Sequence, residues 1–110
     1  MSNVNNPGKS GSGFTTQTDV TGASRLKGTV YRNSGSTPML VQIIASLAAS
    51  SQADVYSDAA VSPTVKVGSC STQAAVTDIA TITFLVMPLN YYVISQLVGT
   101  ITIVAWIETT

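Results

Sequence analysis

The chain has no histidine, one cysteine and few charges. Without histidine, neither a Ser-His-Asp nor a Cys-His arrangement can be assembled, and zinc and iron sites lose one of their commonest ligands. A single thiol, Cys70, rules out an intrachain disulfide, so the chain does not read as a small disulfide-stapled secreted scaffold. Cys70 sits in Gly-Ser-Cys-Ser-Thr, a loop edge or a small buried position. Only 9% of residues are charged, against about 25% in an ordinary soluble domain. Apolar residues make up 45%, so the polar surface has to come from hydroxyls and amides. Serine and threonine together number 29, and such a surface resists association poorly. This composition predicts a subunit covered by neighbours.

The few carboxylates exclude more than they offer. Asp54, Asp58, Asp78 and Glu108 are the acids after residue 32. A glycosidase needs two of them at a controlled distance, and nothing in their spacing points to that. Asp54 and Asp58 lack the ligand spacing of a calcium loop, and Gly-Ser-Gly at 11–13 lacks the lysine and helix of a phosphate loop. The expectation is a protein with no catalytic residues, no metal site and no cofactor.

Charge is uneven along the chain. Residues 1–32 hold Lys9, Arg25, Lys27 and Arg32 against Asp19, whereas residues 33–110 hold Lys66 against the four acids. A basic segment therefore precedes an acidic body. Four cations over thirty-two residues, without aromatics between them, are a weak nucleic-acid footprint; an acidic protein surface is the better partner, and no nucleic acid is expected. The first residues, MSNVNNPGKSG, have no apolar core and do not read as a signal peptide. No residue from Ile79 to Ile107 is charged, long enough for a membrane helix. Yet Pro88, Asn90, Gln96 and Gly99 interrupt the span, and its longest apolar piece, Phe84–Leu89, falls far short of the roughly 20 residues required. No membrane association is expected.

The layout divides into an extended arm, 1–27, and a β body, 28–110. The arm is rich in Ser, Thr, Asn and Gly, a composition that does not bury itself. Val4, Phe14, Val20 and Leu26 are its anchors, with Lys9 and Arg25 its charges, and all six are candidate contacts to another subunit. The body reads as about seven short strands. Asn33-Ser34-Gly35-Ser36 supplies turn chemistry and Pro38 opens a strand, so 29–47 is read as a hairpin. Residues 40–49 fit strand and helix periods equally; the turn before them favours a strand at 39–47. Asp54–Ser57 and Thr64–Gly68 are short strands. Asp78–Met87 alternates, with Ala80, Ile82, Phe84 and Val86 on one face and Thr81, Thr83 and Leu85 on the other. Tyr91–Leu97 follows the Pro88 turn. In Gly99–Glu108, Ile101, Ile103, Ala105 and Ile107 are expected inward, and Thr100, Thr102, Val104 and Trp106 outward. Exposed Val104 and Trp106 then form a contact patch, and Tyr91 and Tyr92 join them as candidate oligomer-interface residues. Turn signals every eight to twelve residues predict an all-β antiparallel sandwich or jelly roll.

Three segments carry a resemblance. TVYRNSGSTPMLVQI (29–43) resembles the hairpin that opens small β domains in structural proteins of tailed bacteriophages. ITFLVMPLNYYVI (82–94) resembles the strand, proline turn and paired aromatics of those domains, and Ala105-Trp106-Ile107-Glu108 resembles their Trp-x-Glu ending. Thr37 replaces a basic residue of that pattern, and Leu89-Asn90 replaces a glycine. The resemblance implies a β-sandwich head, commonly trimeric, found in capsid decoration (cement) proteins and at tail-fibre tips. The resemblance does not fix the partner; taken with the polar basic arm and the compact β body, the expectation is a capsid decoration (cement) protein at the capsid surface of a virion, with the major capsid protein or another virion protein as partner. The receptor-binding tip of a tail fibre is the alternative.

Overall fold

The structure, a computed structural model, describes residues 13–22 and 25–110. Eight strands form, all antiparallel: β1 (Gln17–Asp19), β2 (Tyr31–Arg32), β3 (Met39–Leu47), β4 (Gln52–Asp58), β5 (Lys66–Ser71), β6 (Asp78–Val86), β7 (Tyr91–Val98) and β8 (Ile101–Thr109). The pairing is nested: β4 with β5, β3 with β6, β2 with β7 and β1 with β8. The first half of the chain lies against the second as one long antiparallel ribbon. Rolling that ribbon sets β8 beside β3 and β7 beside β4. Two four-stranded sheets result, ordered β1-β8-β3-β6 and β2-β7-β4-β5. This is the jelly-roll form of a two-sheet sandwich.

The ambiguous segment is a strand with the expected bounds. Met39, Val41, Ile43, Ala45 and Leu47 are all buried, because a period of two places each of them on the inner face. Ile82, Phe84 and Val86 of β6 meet them there, as the alternation predicted. Ala53 and Val55 of β4, with Tyr92 and Ile94 of β7, close the core from the other sheet.

Two expectations change. Residues 29–47 do not form a hairpin: β2 belongs to one sheet and β3 to the other, so Asn33–Pro38 carries the chain across the end of the sandwich. Asn33 is buried in this crossover and fully engaged. Its main chain exchanges bonds with Asn90 and Leu89 (2.9 and 2.8 Å). Its side-chain Nδ2 donates to Thr37 and Val86 carbonyls, and its Oδ1 accepts from the Gly35 N–H.

The second change lies in β8. Ile44 pairs with Ala105 but Ala45 pairs with Ile103, so Val104 is an extra residue in a β-bulge. A bulge reverses the alternation that follows it. Ile101 therefore faces inward before the bulge, while Trp106 and Glu108 face inward after it. Trp106, expected outside, is fully enclosed (0% exposed), whereas Ala105 and Ile107 turn to the outer face.

At the other end, the crossovers 48–51 and 99–100 pack together. The Ser51 hydroxyl accepts from the Thr100 N–H (2.9 Å). Gly99 has φ +73, and a Cβ there would stand 2.2 Å from Ser51 Oγ and 2.8 Å from the Ser50 carbonyl. Leu89 is also left-handed, at φ 67. A left-handed backbone costs a side-chain-bearing residue about 1–2 kcal/mol. Gly99→Ala is expected to destabilise by about 2 kcal/mol or more, since steric overlap adds to the backbone cost. Leu89→Gly, at an exposed turn, is expected to lose nothing or gain up to about 1 kcal/mol. Urea denaturation midpoints of the two variants, moving in opposite directions, check both.

Candidate docking face and end cleft

The site begins with a polar chain inside the core. Tyr92 on β7 donates its phenol proton to Glu108 Oε2 on β8, and Trp106 Nε1 donates to the Tyr92 oxygen at 3.2 Å. Arg25 closes the chain from outside, its Nε 3.0 Å from Oε2 and its Nη2 2.8 Å from Oε1 of Glu108. Such a two-point guanidinium–carboxylate contact is the strong form of ion pair. The Arg25 guanidinium also lies 4.5 Å from the centre of the Tyr31 ring. Tyr31 stands edge-on to Trp106 at 5.9 Å, and Phe84 packs against Tyr92 at 5.5 Å. Burial, with Glu108 next to it, pushes the Tyr92 phenol far above its ordinary range.

This network rims a cleft of about 440 Å³ between Arg25, Arg32, the crossover Asn33–Thr37, Met39, Glu108 and Thr110. Arg32 is positioned by the Leu89 carbonyl (3.1 Å) and by the Tyr91 ring, 5.1 Å away. Turn hydroxyls and a guanidinium suit a polar or acidic group.

A second charged cluster lies on the outer face of the β2-β7-β4-β5 sheet. Asp54 is buried there, accepting from Ser69 Oγ (2.7 Å), Gln52 and Tyr56 (both 3.3 Å), with Lys66 Nζ at 3.2 Å. The Ser69 bond, opposed by burial and helped by Gln52 and Lys66, holds its carboxyl below the usual carboxylate range. Asp58, four residues on, accepts main-chain N–H bonds from Thr64, Ala60 and Val65, which lower it as well. Among the described residues no three acidic, cysteine or histidine groups stand close enough to hold a metal. Cys70, half-buried on β5, has its thiol pushed up by burial, partly offset by the Ala53 main chain.

The outer face of the β1-β8-β3-β6 sheet is different in kind. Leu40 stands between Leu85 and Thr109, Ile44 between Thr81 and Ala105, and Ser46 between Ile79 and Thr102. Gln42 is flanked by Thr83 and Ile107. None of these is charged, and Ile79, Leu85 and Val104 are 64%, 50% and 52% exposed. Asp19 and Asp78 mark the rim.

The residues expected to bind a neighbour are redistributed. Val4 and Lys9 lie outside the described residues. Val20 is in the chain's own core, β1 is an edge strand of its own sheet, and Arg25 is bound to Glu108. Arg25 thus meets an acid within the chain, whereas Lys27 reaches the neutral Gln96 (2.7 Å) and the Ile101 carbonyl. Phe14 and Leu26 remain exposed. Of the four interface candidates, Tyr92 and Trp106 are fully buried and offer no surface; Tyr91 is half-covered, and Val104 is open. The sequence reading missed Glu108 as a core group, and it missed Leu40, Ile44 and Ile107 as outer-face residues. The Thr81-Thr83-Leu85 alternation was the one signal for that face.

The architecture assigns the chain to the antiparallel jelly-roll sandwiches. No family model, curated protein or solved structure that was compared matches it.

Breaking a buried ion pair from one side costs about 3–5 kcal/mol. Arg25 keeps 26% of its side chain in water, so Arg25→Met is expected to cost less, about 2 kcal/mol. The double variant Arg25→Met/Glu108→Gln is expected to cost less than the two single losses together, measured by urea denaturation as a double-mutant cycle. Asp54 makes a second, pH-dependent prediction. Its folded value is depressed below the unfolded value of about 3.9. Its contribution is therefore complete above that value and disappears as pH falls through the folded value. The stability gap between wild type and Asp54→Asn should be widest near neutrality and shrink on acidification below about pH 4, read from urea midpoints across pH.

Proposed function

We propose that the protein is a structural component of a bacteriophage virion, decorating the capsid surface and docking to the major capsid protein or another virion protein. The observation that carries this reading is the nearly uncharged outer face of the β1-β8-β3-β6 sheet, with Asp19 at its β1 margin and Ile79, Leu85 and Val104 open to solvent. Exposed apolar side chains grouped on one face suit an interaction site. Jelly-roll sandwiches recur in viral capsid and lectin domains, and the TVYRNSGSTPMLVQI and Trp-x-Glu segments resemble phage structural domains. On this reading the protein works by binding, without a catalytic group or cofactor. Attachment lies on the sheet face, since Val20 and Arg25 are engaged within the chain. Of the contact residues expected from the sequence, Val104 remains open to a partner, but Tyr92 and Trp106 do not.

A tail-fibre tip is the second reading, and the end cleft favours it. Binding loops of β-sandwiches gather at an end of the fold, and Arg32 with the turn hydroxyls faces such a cleft. One experiment separates the two: sedimentation with expanded phage heads lacking the protein, alongside adhesion to host cells. Stoichiometric binding to heads, lost in Val104→Lys, is the expected outcome. Adhesion to cells without binding to heads selects the fibre tip.

A further inference from the structure

The four sheet edges are not alike. An exposed sheet edge is a template for pairing, and proteins blunt it with short strands, bulges, lysine or proline. β1 and β2 are three and two residues long. β5 carries Lys66 and a register shift against β4. β6 has none of these protections. It runs nine residues, pairs with β3 at every position without a register shift, and contains no proline; its sole charge is Asp78 at the start. Among the described residues no strand covers its other edge.

We infer that β6 is a self-pairing edge, and that two copies of the chain join through it antiparallel about a two-fold axis at Ile82. The sequence of β6 is complementary to its own reverse. With Ile82 opposite Ile82 of the second copy, Ile79 falls opposite Leu85, and Thr81 opposite Thr83. Apolar meets apolar on the outer face, and hydroxyl meets hydroxyl, both favourable cross-strand pairs. Each Asp78 falls opposite Val86, so the two carboxylates lie at opposite ends of the contact. A two-residue slip either way leaves an apolar residue without its match. The occupant is therefore a second copy: an unrelated strand would have no reason to match this order. Pairing gives one continuous eight-stranded sheet and joins the nearly uncharged faces of both copies. Nine residues a side is well below the roughly 20–30 of a standard interface, so the dimer is expected to be concentration-dependent. The inference concerns the isolated protein and stands whether or not it binds a capsid.

Sedimentation velocity from micromolar to near-millimolar protein tests it. Wild type should pass from monomer to dimer. Thr81→Lys/Thr83→Lys places four ammonium groups around the axis and should be monomeric throughout, as should Thr81→Glu/Thr83→Glu. Both substitutions are at exposed positions, and mixing the two variants should restore a dimer. A wild type that stays monomeric, even one that binds a foreign strand, overturns the proposal. So does a trimer, a dimer indifferent to the lysine pair, or a mixture that stays monomeric. Amide hydrogen exchange of wild type gives an answer without substitution: protection of β6 must rise with concentration, and equal exchange at all concentrations refutes edge pairing.

Discussion

The contact on which the structure turns is Glu108 inside the sandwich. A carboxylate enclosed between two sheets costs several kcal/mol unless its oxygens are satisfied. Tyr92 satisfies it from the opposite sheet and Arg25 from the segment between β1 and β2. One acid thus joins three parts of the chain that lie far apart in sequence. It orients Tyr92, which accepts from Trp106, and the aromatic cluster of Tyr31, Phe84, Tyr92 and Trp106 assembles around that chain. The same contact keeps the basic segment against its own body.

The nested topology determines where charge can sit. Pairing the two halves as a ribbon brings β4 and β5 together, so Asp54, Asp58 and Lys66 gather on one sheet. The strands left for the other sheet are threonine-rich and nearly uncharged. On one face Asp54 is engaged by Ser69, Gln52, Tyr56 and Lys66. The other presents Ile79, Leu85 and Val104, which stay exposed among the described residues. β6 belongs to that second sheet and forms its unprotected margin, so the open face and the open edge are adjoining parts of one surface.

Much of the fold was legible. The bounds of β3 and the inward set of β6 follow from period-two alternation. The turn before Pro38 and the Pro88 turn were equally plain. What failed did so for particular reasons. The 29–47 hairpin failed because turn residues say that a chain reverses, not which sheet receives it. Trp106 was placed outside because alternation was carried through β8, and a one-residue bulge at Val104 leaves no mark in composition. The pairing of Gln17–Asp19 was not legible because the segment is polar throughout; it rests on main-chain bonds to β8.

By itself the sequence determined the class: an all-β chain, hydroxyl-surfaced, without histidine and with its charges divided between an early basic segment and a later acidic one. Those are properties of residue type and local spacing, and local physics suffices to read them. Only the tertiary structure decided that Arg25 meets Glu108, that Trp106 and Tyr92 belong to the core, and that, among the described residues, the β1-β8-β3-β6 face and the β6 edge are left open. Each of these depends on which distant strands become neighbours and in what register. That choice is set by packing of the whole sandwich, and a shift of one residue exchanges its inner and outer faces.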